Sequence, residues 1–280
     1  MTTAPHHRRA AVLGSPIAHS LSPALHRAAY AALGLPGWSY DRFELTEDGL
    51  PAFLDGLGPE WAGLSLTMPL KRAVIPLLDG IGETAAAVEA VNTVILGPDG
   101  HRRGENTDVP GLVAALREQG VTRVPRAAVL GAGATASSAL AALAQLCDGE
   151  VTAYVRGPER AAEMRGWGER LGVPVTTAAW ADAARALDAP LVIATTPAGA
   201  TDALAAAVPA APGILFDVLY EPWPTALAAA WSARGGRLLG GLDLLVHQAV
   251  LQVEAMTGVA PAPIEEMRAA GEAALSSRGN

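Results

Sequence analysis

Lysine is almost missing from this chain: of its 20 basic residues, Lys71 alone is not an arginine. An arginine keeps its proton under all ordinary conditions, whereas burial and neighbours can tune a lysine into an acid, a base or a switchable charge. The scarcity singles out Ser65-Leu66-Thr67-Met68-Pro69-Leu70-Lys71, although one lysine left on a solvated helix would look the same. Asparagine is nearly as rare, at Asn92, Asn106 and the terminal Asn280. Both internal ones stand before threonine, as Asn92-Thr93 and Asn106-Thr107-Asp108. The single cysteine, Cys147, excludes an intrachain disulfide and suits a reducing compartment; at the end of an apolar helical pattern it is expected as a buried thiol. Aromatic residues make up only 5% of the chain, and the apolar half is mostly alanine, leucine and valine, which suits helices packed on a sheet. No run of like charge occurs, and a net charge of -8 argues against a nucleic-acid partner. Met1 to Arg9 has no apolar secretory segment and reads as a frayed polar end. Ala127 to Cys147 carries no charge, but its glycines, hydroxyls and Gln145 make it too polar to span a membrane. A cytoplasmic protein without a metal is expected.

At 280 residues the chain exceeds the usual single-core size, so two domains are expected. Arg9 to Gly14 reads as a strand leading into Gly14-Ser15-Pro16-Ile17-Ala18-His19-Ser20-Leu21-Ser22-Pro23. Ser22 before Pro23 looks like an N-cap and first turn of a helix reaching Gly34. Ser20 and Ser22 would then offer two hydroxyls beside a positive helix end, a seat for a small carboxylate. Trp38 to Leu45 and Trp61 to Thr67 read as strands, with Thr46 or Asp48 as a cap between them. Strand, helix, strand is a parallel α/β unit, and open α/β sheets bind ligands at the carboxyl ends of their strands. Thr67 and Lys71 fall at such an end. Helical pieces at Arg72 to Leu78 and Glu83 to Ala90 precede a hairpin, Val91 to Leu96 and His101 to Asn106, around Gly97-Pro98-Asp99-Gly100. Asp108 opens a helix to Gln119, where an N-cap is the ordinary role for aspartate.

Arg126 to Leu146 carries the strongest local signal. Ala127 to Leu130 is a buried strand, Gly131-Ala132-Gly133-Ala134-Thr135-Ala136 is a G-x-G-x-x-A turn, and a helix follows. Glycines there permit a tight turn and bring a pyrophosphate close to a helix N-terminus. The next strand, Glu150 to Val155, ends in Arg156 with Arg160 one turn on, and has no acid at that end to hold a ribose hydroxyl. Arginines there suit the 2′-phosphate of NADP. Strands at Leu191 to Thr195, Ile214 to Val218 and Arg237 to Leu239, and helices to Leu171, over Thr225 to Ser232, Leu242 to Met256 and Ile264 to Leu275, complete an α/β pattern without internal repeats.

With these motifs in this order, the chain resembles the shikimate dehydrogenase family along essentially its whole length. The resemblance rests on Gly14 to Pro23, Thr67 to Lys71, Asn92-Thr93, Asn106-Thr107-Asp108, Gly131 to Ala136, Asp217 to Pro222 and Gly241 to Gln248. It implies NADPH-dependent reduction of 3-dehydroshikimate to shikimate, in aromatic amino-acid biosynthesis. Lys71 and Asp108 match the family's catalytic pair. Ser20, Ser22, Thr67, Lys71, Asn92, Asp108, Tyr220 and Gln248 match its substrate-contacting positions. Gly131, Ala132, Gly133, Ala134, Thr135, Arg156, Arg160, Val218 and Gly241 match its cofactor-contacting ones. The implied fold is a two-domain α/β protein with its active site in the cleft. Residues 1–107 with 242–280 would form the substrate domain, and residues 108–241 a Rossmann-type NADP domain. A monomer or homodimer with no membrane partner is implied. Departures from the family pattern are Ser65, Arg27 and Val155, each where asparagine is common, and Leu244 in place of methionine; none removes a catalytic group.

Reducing a ring ketone takes a hydride, which a nicotinamide supplies, and a proton, which it does not. Lys71 is the natural proton donor. The competing enzyme reading is a quinate or quinate/shikimate dehydrogenase, with NAD disfavoured by Arg156 and Arg160. The competing reading from another class is a catalytically idle NADP-binding sensor, which would have no need of Lys71 and Asp108.

Overall fold

The structure, a computed structural model, describes residues 7–278. It divides into two compact units, Met1–Thr107 with Leu245–Asn280, and Asp108–Leu244. The first contains β1 (Arg8–Gly14), α1 (Ser22–Ala32), β2 (Trp38–Glu44), α2 (Leu50–Asp55), β3 (Trp61–Leu66), α3 (Leu70–Ala73), β4 (Gly80–Ile81), α4 (Glu83–Val88), β5 (Thr93–Leu96) and β6 (Arg102–Glu105). They build a six-stranded sheet of order β2-β1-β3-β5-β6-β4. β1 runs parallel to both β2 and β3, as the strand, helix, strand pattern requires, while β5 is antiparallel to β3 and to β6. β3 is buried at all six positions because helices and neighbouring strands leave it no solvent face. β2, at the edge, alternates between half-buried and exposed residues over its second half. The expected hairpin is present, and Gly100 turns it at φ 81°. The short β4 has no counterpart in the sequence pattern.

The second unit runs α5 (Asp108–Glu118), β7 (Ala127–Leu130), α6 (Ala134–Leu146), β8 (Val151–Val155), α7 (Pro158–Leu171), β9 (Val175–Ala179), β10 (Leu191–Ala194), β11 (Ile214–Asp217), α8 (Ala226–Ala233) and β12 (Arg237–Leu239). Its sheet, of order β12-β11-β10-β7-β8-β9, is parallel throughout. Side chains of successive strand residues point to opposite faces, so Ala127 and Val129 of β7 enter one apolar cluster with α5 and α6 while Ala128 and Leu130 enter another with α8. Both faces are covered, which is why the strand reads as an unbroken apolar run. The chain crosses back to the first unit within α9 (Gly241–Thr257) and ends in α10 (Ile264–Ser276), which packs on α1.

Several local expectations need correction. Ser22 is the first helical residue of α1 rather than its cap; Leu21 holds the cap position, with no side-chain cap hydrogen bond. Neither Thr46 nor Asp48 caps by its side chain: Thr46 precedes a 3-10 turn, Glu47–Gly49, without such a bond. Asp108 likewise lies inside the first turn of α5. Cys147 is half-buried, because α6 ends at Leu146 and the thiol packs only against the margin of the core. β9 and the 3-10 segments Trp180–Asp188 and Asp202–Ala207 lie outside the expected elements. Of the frayed start expected over Met1 to Arg9, residues 1–6 lie outside the described residues, and Arg8 and Arg9 already belong to β1.

Candidate active site

In the first unit, topology gathers the singled-out segments along one sheet edge. β1 and β3 are parallel neighbours, so the turns after Gly14 and Leu66 leave side by side. Ser15 donates its backbone N–H to Met68 O at 2.9 Å, and a Cβ on Gly14 would collide with Thr67 and stand 2.8 Å from Met68 O. Only glycine permits this approach. Thr67 O then accepts from Leu70 N at 2.8 Å, starting the short helix that carries half-buried Lys71. Because β5 is antiparallel, its start lies where β3 ends. Asn92 O accepts from Leu66 N at 2.8 Å, and Val91 N donates to Lys71 O at 2.8 Å. β6 pairs Glu105 with Thr93, which returns the chain to the same edge at Asn106, Thr107 and buried Asp108.

The amides and hydroxyls at this edge are tied to one another. Asn92 Oδ1 accepts from Thr107 N at 2.8 Å and from Thr93 Oγ1 at 3.0 Å. Its Nδ2 donates to Thr107 Oγ1 at 3.0 Å and to Gln248 Oε1 at 3.3 Å. Gln248, on α9, donates in turn to Leu245 O at 3.0 Å. Asn106 Nδ2 donates to Ala90 O at 2.9 Å, a buried bond that pins the turn. Both scarce asparagines therefore hold strand ends with their amides. Ser20 and Ser22 are buried, and Ser22 N donates to Ser20 Oγ at 3.3 Å, so Ser20 satisfies a backbone donor at the start of α1.

The second unit presents the glycine turn at the carboxyl end of β7, where the sheet order reverses direction between β7 and β10. Gly131 adopts φ 110°, and a Cβ there would stand 2.7 Å from Thr195 Oγ1. Gly133 caps α6, and space around its missing side chain is open, so no side chain at that position obstructs approach to the first N–H groups of the helix, which begins at Ala134 and Thr135. These residues fit a dinucleotide phosphate. Gly131 N donates to Tyr154 O at 3.1 Å, which sets the end of β8, and hence Arg156, beside the turn. Arg156 is exposed, with its guanidinium carbon 6.0 Å from the Trp180 ring centroid, while Arg160 is engaged with Glu163 at 2.7 Å. Asp217, at the end of β11, is buried; desolvation raises its carboxyl above the usual range, against hydrogen bonds from Thr225 and from Leu219 N. Val218 follows, and Gly241 N donates to Leu219 O at 2.9 Å. A Cβ on Gly241 would collide with the Val218 carbonyl.

Thus Ser20, Ser22, Thr67, Lys71, Asn92 and Gln248 belong to the first unit, and Asp108 directly follows it. Tyr220 belongs to the second, with the glycine turn, Arg156, Arg160, Val218 and Gly241. Sequence reasoning missed Tyr40, Gln252 and His26, all buried polar groups next to this edge. Gln252 had a signal: it stands four residues after Gln248, on the same helix face. Among the described residues no group of three or more His, Cys, Asp or Glu side chains is placed to hold a metal.

A parallel sheet with a glycine turn at its switch point, joined to an α/β unit that collects a lysine, amides and hydroxyls at one edge, defines a two-domain protein of the dinucleotide-binding class. A family model for the shikimate dehydrogenase substrate binding domain matches residues 12–94, and one for the shikimate 5'-dehydrogenase C-terminal domain matches residues 241–270. The shikimate dehydrogenase (NADP(+)) of Methylobacterium radiotolerans is 36% identical over 271 residues, covering 93% of this chain and 95% of its own. The crystal structure of Mycobacterium tuberculosis shikimate dehydrogenase is 42% identical with a TM-score of 0.87, covering 95% of this chain and 99% of that one. The shikimate 5-dehydrogenase of Thermus thermophilus, solved in complex with NADP(H) and shikimate, is 33% identical with a TM-score of 0.82 over 95% and 99% of the two chains. The chain belongs to the shikimate dehydrogenase family. It has an N-terminal α/β substrate domain and a Rossmann-type domain.

Proposed function

We propose that this protein catalyses the reversible NADPH-dependent reduction of 3-dehydroshikimate to shikimate, with Lys71 and Asp108 as the catalytic pair. The observation that carries the reading is the convergence of the Thr67–Lys71 turn, Asn92 and the Asn106-Thr107-Asp108 segment on one sheet edge. When bound at the glycine turn, NADPH supplies the hydride. The chain supplies everything else. Lys71 gives a proton to the ketone oxygen as negative charge develops there, so carbonyl becomes alcohol with hydride and proton accounted for. Asp108 holds the ammonium and accepts a hydrogen bond from the hydroxyl next to the reacting carbon. Thr67, Asn92, Gln248 and Tyr220 orient the ring hydroxyls, and Ser20 and Ser22 seat the carboxylate. The main chain from Gly131 to Thr135 receives the phosphates, Arg156 and Arg160 face the 2′-phosphate, and Val218 and Gly241 line the nicotinamide end. The single cysteine suits a reducing cytoplasm.

Shikimate oxidation followed as NADPH absorbance at 340 nm tests the pair. Lys71→Ala lowers kcat by about 10²-fold to 10⁴-fold, the scale of a lost acid or base, and Asp108→Asn gives a comparable loss. NADP affinity, measured by titration, stays within about two-fold because neither side chain contacts the cofactor phosphates. Turnover surviving in Lys71→Ala within a few-fold of wild type would place the proton donor elsewhere.

A further inference from the structure

β8 and β9 are parallel neighbours whose last residues, Val155 and Ala179, are paired, so Arg156 and Trp180 leave the sheet side by side. Side chains alternate along a strand. Val155 enters the apolar cluster shared with α6 and Tyr154 the one on the opposite face, which puts the next position, Arg156, on the side of Tyr154. Trp180, the first residue of the 3-10 segment, packs half-buried against that same cluster. The indole is therefore anchored by apolar contact, and the Arg156 guanidinium carbon lies over its ring, 6.0 Å from the centroid. This attraction sets the cation against the negative face of the ring and commits none of its N–H groups to an acceptor atom. Among the described residues Arg156 has no hydrogen-bond or ion-pair partner, whereas Arg160 spends an N–H on Glu163 at 2.7 Å.

We propose that Trp180 is a positioning residue that sets the preference for NADP over NAD by holding the Arg156 guanidinium, with its donors unspent, at the carboxyl end of β8. The proposal rests on the reading that Arg156 meets the 2′-phosphate. It adds the reason an exposed arginine can serve there. A long side chain in water loses rotamer freedom when it grips an anion, and that loss weakens the grip. A ring fixed to the core takes up part of the loss before the anion arrives. A carboxylate partner would also restrain the arginine, but it would occupy N–H donors and cancel the charge that the phosphate needs; an aromatic face does neither. Arg160, already bonded to Glu163, shows the other arrangement one turn along the chain. NAD carries a hydroxyl where NADP carries the phosphate, so the Trp180 contact bears on one cofactor and not the other.

The test is equilibrium titration of the full-length protein, without substrate, by NADP and NAD and by two fragments, adenosine 2′,5′-bisphosphate and AMP, which differ only in the 2′-phosphate. Trp180→Leu keeps apolar contact with the core and removes the aromatic face. It is expected to weaken NADP and the bisphosphate about 2-fold to 5-fold, the scale of one exposed cation–π contact, and to leave NAD and AMP unchanged. Trp180→Phe, which restores a ring, recovers most of the loss. In the Arg156→Ala background Trp180→Leu costs nothing further, because the group it positions is gone. If Trp180→Leu fails to fold, Trp180→Met, whose flexible apolar chain refills the same margin, carries the same expectation. Equal losses for NADP and NAD would overturn the proposal, since they would place the ring against the adenine that both share or in the support of the fold. So would unchanged NADP affinity in a folded Trp180→Leu, no recovery in Trp180→Phe, or penalties that add in the double variant. Arg156→Ala separates the two failures: a loss confined to NADP there with none in Trp180→Leu removes the Trp180 inference alone, and no loss in Arg156→Ala removes the 2′-phosphate reading with it.

Discussion

Two arginines that read alike in sequence differ in their surroundings. Arg160 donates to Glu163 at 2.7 Å within the first turns of α7, whereas Arg156 extends from the end of β8 beside the glycine turn. A charge-assisted contact contributes about 1.5 to 3 kcal/mol, so Arg156→Ala is expected to weaken NADP by roughly 10-fold to 150-fold and to spare NAD. Arg160→Ala, which also releases Glu163, has a smaller effect. Equal losses for NADP and NAD in Arg156→Ala, read by titration, would contradict the 2′-phosphate role. His26 makes a prediction about pH. Burial holds its ring at about 3 instead of 6.5, against the raising effect of its bond to Gln252. Between those values the unfolded chain binds the extra proton and the folded chain does not, so stability rises with pH and the contribution is complete above the unfolded value. Wild type should lose about 2 kcal/mol more than His26→Phe between about pH 7.5 and pH 5, measured by urea unfolding. Parallel curves for the two proteins would show that the ring is not held neutral. Scarcity and spacing singled out Lys71, Asn92 and the segment ending in Asp108, and Gln252 was marked only by its place four residues after Gln248. Nothing local marked Tyr40, because Gln252 and Tyr40 meet at Ser65 across 187 and 25 residues of chain.

Elements were legible where burial imposed a pattern. β7 and α6 read directly because a two-faced buried strand followed by a helix leaves an unbroken apolar run and then a helical period. β9, Val175–Ala179, is a half-exposed edge strand of valine, threonine and alanine, whose membership comes from pairing with β8 and not from its own alternation. The cap of α1 failed for a related reason. Ser22 and Pro23 carry the signature of a helix start, yet the Ser20 hydroxyl takes the Ser22 N–H and moves the start one residue earlier. The start of α9 is governed by backbone approach. Gly241 lies against the Val218–Leu219 main chain, so a methyl group there requires a backbone shift. Gly241→Ala is expected to destabilise the protein by about 1 to 3 kcal/mol and to weaken NADP binding at the same time. A variant with unchanged melting temperature and NADP affinity would show that the loop yields without cost.

At the scale of the whole molecule, the chain uses one device twice without repeating any sequence: functional segments leave from the carboxyl ends of parallel strands, β1 and β3 in the first unit and β7, β8 and β11 in the second. The division into two units was legible because the scarce lysine and the two internal asparagines all precede Asp108, whereas the glycine turn follows it. What the sequence left open was how strictly shikimate is preferred to quinate and NADP to NAD, since quinate is a ring alcohol with a carboxylate too and the two arginines set only the direction of the cofactor preference. The most direct measurement is the initial rate of dinucleotide reduction at 340 nm with shikimate or quinate, each paired with NADP or NAD. The account predicts that shikimate with NADP gives the largest kcat/KM, and that exchanging NADP for NAD lowers it by roughly the 10-fold to 150-fold assigned to Arg156. A larger kcat/KM with quinate, or equal values with NAD and NADP, would contradict it.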